Sequence, residues 1–186
     1  VITAEDRTVI GDPNPDFTYS INFSASYKNF DISMLINGVQ GVDILNANTW
    51  YLQSQDFIAN FGTDVLRRWQ RPGDVTDIPR FRFVGNNSNN FISTRYIEDG
   101  SFARLKNLTI GYSLNQEVLQ KLFKGAVGRV RFYVQSQNLI TITKYSGFDP
   151  EVEPLYGGDG IIQGIGIDRG RQPQPVTFIG GLQVEF

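Results

Sequence analysis

The sequence predicts an all-β fold: the C-terminal strands of a large antiparallel transmembrane β-barrel with long extracellular loops, one of them partly helical. Three observations carry this expectation. Long segments alternate between apolar and polar residues, the period of a strand whose two faces meet different surroundings. These segments run to about twice the length of ordinary soluble strands. Their polar faces hold Ser, Thr, Asn and Gln rather than the Lys and Glu that normally solvate an exposed sheet.

The first strand is FTYSINFSASY at 17–27. Phe17, Tyr19, Ile21, Phe23, Ala25 and Tyr27 share one face, and Thr18, Ser20, Asn22, Ser24 and Ser26 the other. At about 3.3 Å per residue and about 45° of tilt it spans about 25 Å, the height of an outer-membrane apolar band. Lys28 and Asn29 form a two-residue turn candidate. The second strand returns over 30–39, with Phe30, Ile32, Met34 and Ile36 on one face and Asp31, Ser33 and Asn37 on the other. Leu35 breaks the polar face.

Residues 40–95 lose the alternation, and such a stretch is far longer than ordinary loops. It is expected to be a functional excursion or a small subdomain. It has helix-like spacing around Val65, Leu66 and Trp69, two prolines (Pro72 and Pro79) and the asparagine cluster GNNSNN at 85–90. The third strand covers 101–114, with Leu108, Ile110, Tyr112 and Leu114 in phase. Residues 115–127 read as a turn with one or two helical turns. The fourth strand covers 128–142, with Val130, Phe132 and Val134 opposite Arg129, Arg131, Tyr133, Gln135 and Gln137. A Gly-, Asp- and Pro-rich stretch follows at 143–174. The fifth strand, 175–186, places Val176, Phe178, Gly180, Leu182, Val184 and Phe186 on one face.

Connections are short after the first and third strands and long after the second and fourth, the alternation of periplasmic turns and extracellular loops in barrels. A barrel of this type needs about eight or more strands, and an open edge in lipid is prohibitive. The chain is therefore expected to be the C-terminal piece of a longer one rather than one of several copies that close together.

Composition narrows the function. The 186 residues carry a net charge of −2, which gives no electrostatic reason to expect nucleic acid. No apolar run is long enough for a transmembrane helix. The first residues lack the basic region and apolar core of a signal peptide. There is no Cys for disulfides or thiolate metal sites, and no His, the commonest general base. Without histidine nothing here activates a serine, and no carboxylate pair is positioned for glycoside hydrolysis; an enzyme is not expected.

The strings GDPNPDFTYSINFSASYKNFDISMLINGVQG, YIEDGSFARLKNLTIGYSL and RVRFYVQSQNLITITKYSGFDPEV, and GIDRG followed by PQPVTFIGGLQVEF, resemble the C-terminal barrel region of SusC/RagA-type TonB-dependent outer-membrane transporters of Bacteroidetes. These blocks cover most of the chain in order; 50–66 and 154–163 match least. The family's plugged barrel of about 22 strands would be represented by its last five, the plug domain and TonB-contacting segment being absent. The resemblance implies cell-outer-membrane localisation and TonB-dependent import of oligosaccharides or peptides, with no cofactor. The partners it implies are the rest of the barrel and plug, a SusD-like surface lipoprotein, the TonB complex through the missing N-terminal region, and outer-membrane lipid. It also makes Phe186 a barrel-assembly signal.

Trp50, Tyr51, Trp69 and Tyr156 lie in the expected extracellular loops, where such rings stack on sugars or pack against a protein lid; the alternative is a small core within each loop. Asp149, Glu151 and Glu153 are oxygen ligands for Ca²⁺ in principle, but they lack the EF-hand spacing. A solvated loop, or an ion network of Asp149 and Asp168 with Arg169 and Arg171, competes with that reading, and no metal is assigned. Arg67, Arg68 and Arg71 suit either an acidic substrate or a solvated face. Arg129 and Arg131 suit a plug contact or pairing with carboxylates in the lumen. GGDGIIQGIG at 157–166 lacks the GK[ST] ending of a phosphate loop. The rival functional class is a soluble or surface β-rich carbohydrate-binding module; a fragment without autonomous function is a third. The faces discriminate: Tyr19, Ile21, Phe23, Ile32, Met34, Ile110, Phe132, Val134 and Leu182 either pack on a second sheet or form an outer belt.

Overall fold

The computed structural model describes residues 4–53, 60–81, 91–156 and 162–186. The chain divides into two compact units. One holds residues 16–40, 101–144 and 173–186, and the other holds the segments through Pro15, 41–100 and 145–172.

The first unit is one antiparallel sheet of five strands in the order β1-β2-β5-β6-β10. β1 is Phe17–Tyr27, β2 Phe30–Gln40, β5 Phe102–Ser113, β6 Arg129–Thr143 and β10 Thr177–Glu185. Each expected strand is present, with the third and fifth slightly shorter than the alternation suggested. The turn between β1 and β2 is the two residues Lys28 and Asn29, closed by the pair Tyr27–Phe30. Lys28 takes the left-handed conformation there, at φ 53°. β5 and β6 are joined through helix α2, Gln116–Phe123, which ends where Lys124 and Gly125 turn left-handed.

Register shows why alternation was so strict. Ala25, Ile32, Ile110, Val134 and Gly180 face one another across all five strands. The next such row is Tyr27, Phe30, Tyr112, Phe132 and Leu182. One continuous face is thus largely apolar, with Ser136 as a buried polar exception, and among the described residues no second sheet packs on it: Val134 stays 60% exposed and Leu182 58%. A soluble sheet with this much uncovered apolar surface would aggregate. The neighbouring rows are polar: Ser24, Ser33, Thr109 and Gln135 lie side by side. Ser20 donates to Asn37 across the strands at 3.0 Å.

The polar face carries its charges in pairs. Asp31, Gly111 and Tyr133 occupy one cross-strand row. The Arg131 guanidinium reaches over Gly111 to Asp31, with Nε–Oδ1 2.9 Å and Nη2–Oδ2 2.5 Å. A Cβ on Gly111 would lie 2.5 Å from both partners, so only glycine leaves room for this bridge. Arg129 lies 3.6 Å from Glu185, its cross-strand neighbour. Of the two readings left open for these arginines, pairing with carboxylates is the one seen.

In β5 the alternation is interrupted by a bulge at Lys106. Leu108 pairs with Met34, but the next partner of β2, Ile36, meets Leu105. The extra residue resets the phase. Leu105 and Ala103 join the apolar face, and Arg104 moves to the other, where its Nε donates to Thr141 at 2.8 Å. β6 answers with its own irregularity around Asn138, at φ 52°.

The second unit gathers both long connections. β3, Asp43–Asn46, is its centre. It pairs antiparallel with β4, Ile97–Asp99, and parallel with β9, Ile167–Asp168. The N-terminal segment adds a backbone bond from the Asp43 N–H to the Asp12 carbonyl, 2.9 Å. Ile44, Ala47, Val65, Ile78, Tyr96 and Tyr145 are buried. The two irregular stretches of the sequence therefore fold as one body, the small-subdomain alternative. A two-residue ladder, β7 (Leu155–Tyr156) with β8 (Ile162–Gly164), completes it. The asparagine cluster at 85–90 and most of GGDGIIQGIG lie outside the described residues.

Candidate functional site

The loop unit holds the candidate residues, and side-chain hydrogen bonds between its distant segments hold the loop unit. Asn46 ends β3 and caps helix α1, Ala47–Gln53: its Oδ1 accepts the Thr49 N–H at 3.0 Å. The same side chain donates to Glu98 Oε1 at 2.9 Å and to Ser146 Oγ at 3.2 Å. Glu98 also accepts the Ser146 hydroxyl and N–H, each at 2.8 Å. Two connections distant in sequence are thus tied at one carboxylate.

A second knot lies around Asp168, which is 1% exposed. Its Oδ2 accepts the Tyr145 hydroxyl at 2.6 Å, and its Oδ1 accepts the N–H groups of Gly170 and Arg171 at 2.9 and 3.1 Å. Burial, and then the bond to Asp168, push the Tyr145 phenol well above its usual range. Of the expected network of Asp149 and Asp168 with Arg169 and Arg171, the attraction between Asp149 and Arg171 is present, and the Asp168 part is built differently. Asp168 serves a phenol and a backbone turn, and Arg171 pairs with Glu153 at 2.5 Å. That guanidinium holds the Glu153 carboxyl below the usual carboxylate range. Among the described residues no three acidic side chains cluster as a metal site.

Trp50 and Tyr51 sit on α1 with ring centroids 4.7 Å apart and planes at 58°. Trp50 is half-buried and Tyr51 exposed. The cap at Asn46 fixes the helix that presents them. Trp69 lies elsewhere in the unit, half-buried, with its backbone N–H bonded to the Ile78 carbonyl at 2.9 Å and the Arg80 guanidinium 5.8 Å from its ring. Tyr156 is on β7, and its side chain falls outside what the structure describes. Phe186 is 96% exposed beyond β10.

The helix-like spacing around Val65, Leu66 and Trp69 resolves into a single 3-10 turn, Thr63–Arg67, which excludes Trp69. Asp74 accounts for the stop: its Oδ2 accepts the N–H groups of Gln70 and Arg71, both at 3.0 Å, which a continuing helix would have used. Pro72 then has no N–H to offer. The turn closes a cavity of about 430 Å³ lined by Phe61, Val65, Leu66, Arg68 and Phe81, with Gly62 and Thr63. Sequence reasoning missed it, because neither Phe61 nor Phe81 stands in any periodic pattern.

The three arginines also separate. Arg67 pairs with Asp77 at 2.9 Å and Asp64 at 3.6 Å, and Arg71 with Asp74 at 3.6 Å. Arg68 instead donates from Nη1 to the Val65 carbonyl at 3.2 Å.

Comparison with known proteins gives one consistent picture. The whole chain is 39% identical over 188 residues to TonB-dependent receptor P3 of Formosa agariphila, of which it spans 18%. It is 29% identical to TonB-dependent receptor SusC of Bacteroides thetaiotaomicron, of which it spans 16%. Among solved structures it superposes over its full length on the RagAB peptide importer in the closed-closed state, with a TM-score of 0.81 at 24% identity, covering 19% of that chain. No family model matches. The chain thus spans under a fifth of the length of these relatives.

Proposed function

We propose a transport role from the premise that this chain is SusC/RagA-type TonB-dependent receptor sequence, from the C-terminal part of the barrel. The full-length protein imports oligosaccharides or peptides across the outer membrane by a TonB-dependent mechanism. This chain supplies five strands of its wall and much of a surface-loop body. A SusD-like lipoprotein covers that surface, and the TonB complex acts through a region outside this chain. Import needs no covalent chemistry on the cargo, in keeping with relatives named as receptors and importers.

The observation that carries this reading is the sheet: one largely apolar face, half exposed, with β1 and β10 each lacking an outer neighbour among the described residues. Lipid and further strands satisfy both features. A soluble carbohydrate-binding module would cover such a face with a second sheet.

Within this reading Trp50 and Tyr51 contact cargo or lid, as Tyr156 and Trp69 do from their own segments. In cells making the full-length receptor, cargo uptake is expected to cease when TonB is deleted. The double substitution Trp50→Ala, Tyr51→Ala should reduce uptake several-fold at unchanged surface levels. Undiminished uptake in the double variant would remove the pair from this role, and uptake without TonB would overturn the reading itself. Phe186 serves as the barrel-assembly signal. Its deletion should deplete the full-length protein from the outer membrane on quantitative immunoblots, and a normal level would count against the signal.

A further inference from the structure

We infer that the cavity beside the 3-10 turn is a subsite for an apolar residue bearing a free carboxylate, specifically the C-terminal residue of a short peptide. The inference deepens the import reading and rests on it. The cavity, about 430 Å³, is of the size that holds a small ligand. Its walls are Phe61, Val65, Leu66 and Phe81, with the two phenyl rings edge-on at 6.1 Å between centroids. Leu66 is 75% exposed, an apolar side chain left at the solvent boundary where a ligand would cover it.

Arg68 supplies the charge. Its neighbours in sequence are engaged, Arg67 by two aspartates and Arg71 by one. Arg68 is half-buried against the cavity and its bond goes to a backbone carbonyl. No carboxylate among the described residues lies within ion-pair reach of it. A guanidinium held by one nitrogen keeps its remaining N–H donors for a carboxylate. Neutral sugar fits the same space poorly. Among the described residues Thr63 is the one uncharged polar side chain on the wall, so most sugar hydroxyls would be buried without partners there. A bare inorganic anion would leave the aromatic walls uncovered. An apolar side chain with an adjacent carboxylate meets both requirements.

The test is calorimetric titration of the full-length receptor in detergent with N-acetyl-phenylalanine and with its amide. The acid is expected to bind about tenfold more tightly than the amide, the scale of one charge-assisted hydrogen-bonded contact. Arg68→Ala should erase that difference, and Arg67→Ala, whose parent side chain is already paired, should preserve it. Phe61→Ala should weaken both probes. Equal binding of acid and amide, failure of the acid to bind, or a preference that survives Arg68→Ala with an unchanged melting transition overturns the subsite. TonB-dependent uptake, measured in parallel, separates the two readings: if it persists while the probes fail, the subsite alone is wrong.

Discussion

Val134→Lys should destabilise the folded full-length barrel by about 1–2 kcal/mol, between the cost of a lysine facing lipid at the interface and at the middle of the bilayer. Val134 lies well inside β6, 60% exposed, in the row Ala25, Ile32, Ile110, Val134, Gly180. Every member of that row is apolar or glycine, so the new ammonium finds no partner in it; the row lies one step from the aromatic row at the β1–β2 turn, so the lysine stem recovers part of the cost by reaching toward that end. The matched control is Gln135→Lys, one residue on and on the opposite face, beside Thr109 and Ile179. There the charge meets a polar surface, and a change within about 0.5 kcal/mol is expected. Equilibrium urea unfolding in lipid bilayers measures both. Equal losses in the two variants would mean that the apolar face is not the lipid face.

The second large effect is expected in the loop unit. Asp168→Ala removes three hydrogen bonds from a buried carboxylate and strands the Tyr145 hydroxyl. Leaving one such buried donor unpaired costs about 1–3 kcal/mol, and the two backbone bonds add to it. Since the sheet has its own ladder, the loss should be local: faster amide exchange across 145–172 with the β1–β2 hairpin unchanged. Exchange that rises equally in both regions would show that the knot is not local. The same knot gives a pH response. The folded Tyr145 holds its proton above the usual phenol range. Its contribution is therefore complete below pH about 10, the unfolded value, and is lost as pH rises beyond it. Tyr145→Phe should abolish that alkaline response, at the cost of the bond to Asp168.

The wall was legible in the sequence because its two faces meet different surroundings, and each side chain records which one it meets. Phe17 to Tyr27 alternates without a fault, and its bounds are those of β1. The turn at Lys28 and Asn29 was marked by two polar residues between apolar ones. The loop body was not legible, because its strands are too short to carry a period. β3 has four residues, and its partners β4 and β9 come from opposite ends of the unit's sequence. Helix α1 is seven residues long and depends on Asn46 rather than on an apolar stripe. The apparent period at Val65, Leu66 and Trp69 failed because a nearby aspartate claimed the backbone donors. For the candidate site, the adjacency of Trp50 and Tyr51 was readable. Which of the three arginines has no aspartate partner among the described residues was not, since Asp64, Asp74 and Asp77 are chosen by the fold of the turn.

The bulge at Lys106 makes the wall's inside-outside code a reading frame of two. A strand writes lipid and lumen in alternate letters, and one extra residue shifts the frame. Arg104 and Leu105 are legible in the shifted frame alone; in the frame of Leu108 they would exchange faces. Excising Lys106 would remove the bulge and leave Arg104 on its own face, whereas adding or removing a residue elsewhere between Arg104 and Leu108 without a compensating bulge would turn a guanidinium toward hydrocarbon. The two halves of β5 are therefore free to drift in length independently, provided that the frame is restored between them. Two receptors of this kind can then differ by one residue in a strand and still build the same wall.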